Sequence, residues 1–284
     1  MKISENEILL LQASLLEKDQ AFKAYQVWKK NIDFETISSN NFALLPVLYK
    51  HILEDHEDEL SPRIKGVYRQ IWLRQQHLGQ QQKTLLETLK QAGLETNLLD
   101  DPSTDVLAQA DLYVNAEVNQ IKTALHNSPV KLEETWNQDV LHLRLENGSI
   151  IRILRRTTNT TKTWLHRLEL TSNDLIWLVR VAPHWKAHTD WYQTAKQNGL
   201  RLRLYKILEV AQKAGILEQN LDEWKTQGFS SFDQAQYKRV FASSKLERLV
   251  FAWQAEQHRG NQQRFLGFVY QYLRRSRIKR HIKH

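Results

Sequence analysis

Apolar side chains in this chain recur mostly every three or four residues, with one central interruption where they alternate instead. Residues 1–60 carry short helical stripes: Ile8 to Leu11 with Leu15 and Leu16, then Phe22, Tyr25 and Trp28, then Phe42-Ala-Leu-Leu-Pro-Val-Leu-Tyr-Lys-His-Ile-Leu53. The acidic run Glu54-Asp-His-Glu-Asp-Glu59 reads as a solvated loop. Ser61-Pro62 predicts a helix start, with Ser61 as side-chain N-cap and Pro62 at the first helical position, where a missing N–H costs nothing. From there the pattern runs to Ala92. Ile64, Ile71, Leu78 and Leu85 stand seven apart, and Val67, Tyr68, Trp72, Leu86 and Leu89 widen the stripe before Gly93 supplies a stop. So long an amphipathic helix needs a broad partner surface, a sheet or a helical layer.

The interruption begins with two short apolar runs, 97–99 and 111–114, joined by an acidic connection that contains Pro102. Residues 116–126 read as a helix ended by Asn127-Ser-Pro129. Asp139-Val-Leu-His-Leu-Arg-Leu-Glu146 alternates as a strand with Leu141, Leu143 and Leu145 on one face, Asn147-Gly148 predicts a two-residue hairpin, and Ile150-Ile-Arg-Ile-Leu154 returns. Thr157-Thr-Asn-Thr-Thr-Lys-Thr163 is a polar linker. From Ser172 the pattern is helical again: capped at 172–174, then 175–181, 191–198 closed by Gly199, 200–214 closed by Gly215, 221–227, 233–242, 246–257 and 261–275. The predicted fold class is therefore α+β, a small mixed sheet flanked by helical regions: an N-terminal part over 1–60, a core over 61–156 and a C-terminal part over 157–284.

Composition narrows the function classes. Apolar residues make up 41% and charged residues 25%, ordinary for a globular protein, and no apolar run reaches the roughly 18–20 residues of a membrane span. The start, Met1-Lys-Ile-Ser-Glu-Asn-Glu, has acids where a signal peptide would be basic and then apolar. The absence of cysteine removes disulfides, thiolate metal sites and cysteine nucleophiles. Together these features point to the cytoplasm. The net charge of +8 is uneven: six of its positive charges (Arg274, Arg275, Arg277, Lys279, Arg280 and Lys283) lie in the last twelve residues, with no acid among them. Such a tail fits phosphates on nucleic acid or an anionic surface, with Arg201, Arg203 and Lys206 as further candidates for a basic surface.

Other motifs are weaker. His184-Trp-Lys-Ala-His188 has the i, i+4 spacing of a zinc helix, but Trp185 replaces the catalytic glutamate and two histidines are too few. His51, Asp55 and His56 are better explained as a polar helix end than as a metal site. No G-x-S-x-G, Walker loop or G-x-G-x-x-G occurs. Core packing is the default for the nine tryptophans.

Three stretches carry a family resemblance: Phe42-Ala-Leu-Leu-Pro-Val-Leu-Tyr49 with Ile64-Lys-Gly-Val-Tyr-Arg-Gln-Ile-Trp72; Ala110-Asp-Leu-Tyr-Val114; and Leu175-Ile-Trp-Leu-Val-Arg-Val-Ala-Pro-His184 with residues 191–211. Across roughly residues 5–215 the chain resembles the nucleotidyltransferase superfamily, in particular a bacterial family with helical regions on both sides of a minimal catalytic core. The resemblance implies a site of three acids on adjacent strands, two of them spaced Asp-x-Asp, holding Mg²⁺ on a nucleoside triphosphate. Here the pair falls on Gln109 and Asp111, and the third position on Arg152. A glutamine carbonyl is a poorer Mg²⁺ ligand, and a cation repels metal. The connection between the two short runs, residues 100–110, has no glycine and is too short for the family's phosphate loop plus helix. The resemblance thus implies a degenerate member in which Asp111 is a remnant, a binding or regulatory module with no cofactor and an unknown protein or anionic partner. Two alternatives stand beside it. One is an active Mg²⁺-dependent enzyme with a rearranged site at Asp100, Asp101, Asp105 and Asp111, a run whose plainer reading is a solvated acidic loop. The other is a nucleic-acid-binding or scaffolding protein that uses its basic tail.

Overall fold

The computed structural model describes residues 3–98, 110–126, 131–133, 140–144, 150–155, 161, 164–165, 167–168, 173–187, 190–218, 221–242, 247–248, 250–252 and 254. In chain order the helices are α1 (Glu5–Leu15), α2 (Lys18–Asn31), α3 (Ser39–Phe42), α4 (Leu45–Leu48), α5 (Ser61–Gln91), α6 (Val118–Ala124), α7 (Asp174–Val181), α8 (Trp191–Asn198), α9 (Arg201–Lys213), α10 (Asp222–Thr226) and α11 (Ser231–Phe241). A π turn, Tyr49–Leu53, extends α4, and a 3₁₀ segment, Ala182–Ala187, extends α7. The strands are β1 (Thr96–Leu98), β2 (Ala110–Val114), β3 (Lys131–Glu133), β4 (Val140–Arg144) and β5 (Ile150–Arg155). The fold is α+β, mostly helical with one small mixed sheet.

Local chemistry sets the helix ends. Ser4 and Glu7 close a capping box on α1, Oγ of Ser4 accepting from the Glu7 N–H and the Glu7 carboxylate from the Ser4 N–H. At α5 the cap differs from the expected one. Ser61 is already helical, and Asp58 supplies the acceptor, its Oδ1 taking the N–H groups of Leu60 at 2.9 Å and Ser61 at 3.1 Å. The Asp58 N–H in turn donates to Ser61 Oγ at 2.8 Å. Gly93, at φ 77°, ends α5 by adopting the left-handed conformation that side chains with a Cβ disfavour.

The described residues form two hydrophobic cores. The helical core combines residues 10–67 with residues 164–224, so the two ends of the chain share one interior. Trp28, Tyr25 and a row of leucines from α1, α4 and the π turn fill its N-terminal side, and Trp177, Trp185, Trp191 and Leu204 its C-terminal side. The indole N–H of Trp177 donates to the Trp164 carbonyl at 2.7 Å, and Trp185 stacks on Trp191 with centroids 4.4 Å apart.

The second core is the sheet, in the order β1-β2-β5-β4-β3, with β2 and β5 parallel and the other pairings antiparallel. Alternation gives one apolar plane, in which Leu112, Ile153 and Leu141 are directly opposed across three strands, with Ile151 opposite Leu143. Leu85, Leu86 and Leu89 of α5 and Ile121 of α6 cover it. The turn expected at Asn147-Gly148 lies outside the described residues.

Helix α5 joins the cores: Ile64 and Val67 belong to the helical one, Leu85, Leu86 and Leu89 to the sheet. Between them two polar side chains, Gln75 and Gln82, are buried on the inward seam. Trp72, expected in the stripe, stands 42% exposed. At 100° per residue Gln75 and Gln82 line up with Ile71 and Leu78, whereas Trp72 is about a quarter-turn away. Six of the seven described tryptophans are buried; Trp72 is the exception. No described helix is long and apolar enough to cross a membrane.

Candidate functional site

Strand β2 carries the one residue of the acidic constellation whose backbone is described. Asp111 follows Ala110 and precedes Leu112, so it belongs to the set of alternate positions opposite to the apolar plane. The parallel register sets Asp111 directly against Arg152 on β5. The antiparallel register continues this row: Arg152 faces His142 on β4, and His142 faces Glu133 on β3. Four ionisable residues therefore occupy one line across four strands, an acid at each end and basic side-chain types between.

This line limits metal chemistry. Neighbouring strands stand about 4.8 Å apart, so Glu133, three strands from Asp111, lies roughly 14 Å away at the backbone. Two carboxylates at that separation share no ion. The register partner of Asp111 on β5 is Arg152, where the resemblance would place an acid. Gln109, Asp100, Asp101 and Asp105 lie outside the described residues. Among the described residues no three His, Asp or Glu side chains converge to hold a metal ion. His142 and Glu133 went unnoticed in the sequence, although the alternation of Leu141 and Leu143 already assigns His142 to the opposite face.

Several other expectations resolve into structural roles. His51 Nε2 lies 2.6 Å from the Leu16 carbonyl, Asp55 pairs with Lys18 at 2.6 Å, and His56 packs against the ring of Phe22. His184 stacks on Trp164 within the 3₁₀ segment, whose tighter winding lacks the i, i+4 alignment a zinc helix needs; His188 lies outside the described residues. The tail cations Arg274, Arg275, Arg277, Lys279, Arg280 and Lys283 also lie outside them.

Arg201 and Arg203 do not contribute to a basic surface. Arg203, 1% exposed, donates from Nε at 2.9 Å and Nη2 at 2.6 Å to Asp174 Oδ1, and from Nη1 at 2.5 Å to the Leu168 carbonyl. Arg201 grips Asp233 through its backbone N–H at 3.2 Å, Nε at 3.2 Å and Nη2 at 2.8 Å, and reaches Tyr192 Oη at 2.9 Å. Burial disfavours the Arg201 charge, but the bonds to Asp233 and Tyr192 outweigh it and raise its pKa above the ordinary value. The reason is positional: α9 starts inside the helical core, and a cation there stays charged only beside a carboxylate. Lys206 pairs with Glu209 at 2.7 Å.

The acidic run before α5 also does more than face solvent. Asp58 Oδ2 accepts from Tyr25 Oη at 2.7 Å and Lys29 Nζ at 3.1 Å. Burial opposes its ionisation, yet the bonds from Tyr25, Lys29, Leu60 and Ser61 hold its carboxyl below the usual range. Burial and the bond to Asp58 raise the Tyr25 phenol.

No known protein family, curated protein or solved structure matches this chain.

Proposed function

We propose that the chain is a catalytically degenerate nucleotidyltransferase-like protein that acts as a binding or regulatory module. One observation carries the reading: the residue directly opposite Asp111 on the adjacent parallel strand is Arg152. A two-metal phosphoryl-transfer site concentrates carboxylates where magnesium ions bridge the phosphates. A neutral Gln109 two residues before Asp111, and a permanently charged arginine beside it, give that spot the wrong charge.

Two measurements test this. A thermal-shift series with the four nucleoside triphosphates, with and without Mg²⁺, is expected to show no Mg²⁺-dependent stabilisation; a ligand at 100 times its Kd would add about 2.7 kcal/mol. Incubation with labelled nucleotide is expected to leave co-purified acceptors unlabelled. Incorporation that disappears in Asp111→Ala would overturn the proposal, as would a Mg²⁺-dependent shift lost in the same variant.

A further inference from the structure

The outward face of α5 combines three properties that a merely solvated helix face does not need together. The first is charge. Residues 61–86 contain five Lys/Arg and no acid. Arg63 and Lys65 are engaged by Glu35 and Glu57, but Arg69, Arg74 and Lys83 are exposed and have no carboxylate partner among the described residues. The second is exposed apolar surface: Trp72 is 42% and Leu73 54% accessible, halfway between the two cores. The third is a set of exposed side-chain amides, Gln76 and Gln80, one and two turns further on.

Helical geometry brings these together. Taking 100° per residue, Arg69, Trp72, Leu73, Gln76, Gln80 and Lys83 fall within about 100° of one another, opposite the inward seam of Ile64, Ile71, Gln75, Leu78 and Gln82. From Arg69 to Lys83 the stripe runs about 21 Å along the axis. Both ends of α5 are packed into hydrophobic cores, so the stripe sits on a helix held at its two ends.

We propose that this face of α5 is a docking surface for single-stranded nucleic acid. Cations at the two ends of the stripe suit backbone phosphates, an accessible indole between them is a stacking platform for an unpaired base, and glutamine amides hydrogen-bond base edges. A partner that offered only negative charge, such as an acidic peptide or an anionic bilayer, would leave the indole and the amides unused. Its residues are distinct in the sequence from Asp111, Arg152 and the basic stretch at 273–284.

The test uses the full chain and a fluorescein-labelled 20-nucleotide oligouridylate, with binding read by anisotropy. Arg69→Glu/Lys83→Glu is expected to weaken binding at least tenfold at 50 mM salt. Removing two phosphate contacts should also flatten the slope of log K against log salt by about 1.4, at about 0.7 per contact on a single strand. Trp72→Ala is expected to weaken binding about fivefold to a hundredfold, the range of one base stack, while leaving the salt slope unchanged. A variant ending at Tyr272 separates this face from the tail and is expected to keep the sensitivity to both substitutions. All replaced side chains are exposed, so unchanged circular dichroism and thermal midpoints accompany these results. Absence of binding by the full chain overturns the proposal. So does binding that ignores Arg69, Trp72 and Lys83, binding that vanishes with the tail alone, or retention on phosphatidylserine vesicles in place of the oligonucleotide.

Discussion

In the helical core, residues far apart in the chain meet: the Gln12 side chain reaches the Ala214 carbonyl across 202 positions, and Arg203 closes on Asp174 and Leu168. The sheet core is assembled from one continuous span, Leu85 to Ile153, almost wholly aliphatic. The first includes stacked aromatic rings and lies beside buried ion pairs; the described core residues of the second are aliphatic. The contrast concerns how each interior is made specific. A core built from distant segments must define which helix meets which, and a buried Arg–Asp pair penalises every arrangement that leaves one charge unmatched. A sheet whose strands are near in sequence is ordered by alternation and register, with hydrogen bonds along each strand.

The largest effect is expected where a buried charge is orphaned. Asp174→Ala leaves the Arg203 guanidinium without its carboxylate and should cost about 3–5 kcal/mol in denaturant unfolding. Adding Arg203→Met should recover most of that loss, because an apolar pair replaces the ion pair. Failure of the double variant to recover would show that the pair stabilises through shape rather than charge.

Leu143→Ala, in the centre of the sheet plane, should cost about 3 kcal/mol, within the usual range for a buried leucine. Hydrogen exchange locates the loss. Amides of β2, β4 and β5 should lose protection while those of α1, α2 and α9 keep theirs. Equal loss in both regions would mean that α5 makes the two cores one cooperative unit.

The smallest effect concerns the N-terminus of α5. Asp58→Ala removes its cap and the acceptor for Tyr25, at about 1–2 kcal/mol near neutral pH. The sign of the pH dependence follows from a carboxyl whose folded pKa is lowered. Its contribution is complete above the unfolded value of about 4 and is lost as pH falls through the lower folded value. The difference in stability between the native protein and Asp58→Ala should therefore shrink on acidification below about pH 4. A constant difference would assign the loss to packing.

The amino-acid pattern by itself determined the class of most elements. Period-3.6 stripes marked α5, α7, α8 and α9, and alternation marked β4, because a segment that buries one face reveals its geometry through spacing, while the Asn147-Gly148 signal marked β5 as the returning strand. Positions 111 and 152 were singled out only by the family resemblance, not by the pattern. Tertiary structure alone decided that these two stand opposite each other, since register between strands 41 residues apart depends on how the whole sheet packs on α5 and α6. It also decided that residues 10–67 and 164–224 share one interior, because no periodicity within a segment names its partner. Charge was misread for the same reason. Arg201 and Arg203 looked like surface cations and are sealed against Asp233 and Asp174, whereas Trp72 looked like core and faces outward beside Arg69. Spacing along one chain says which residues share a face; only the packed partner says whether that face is covered.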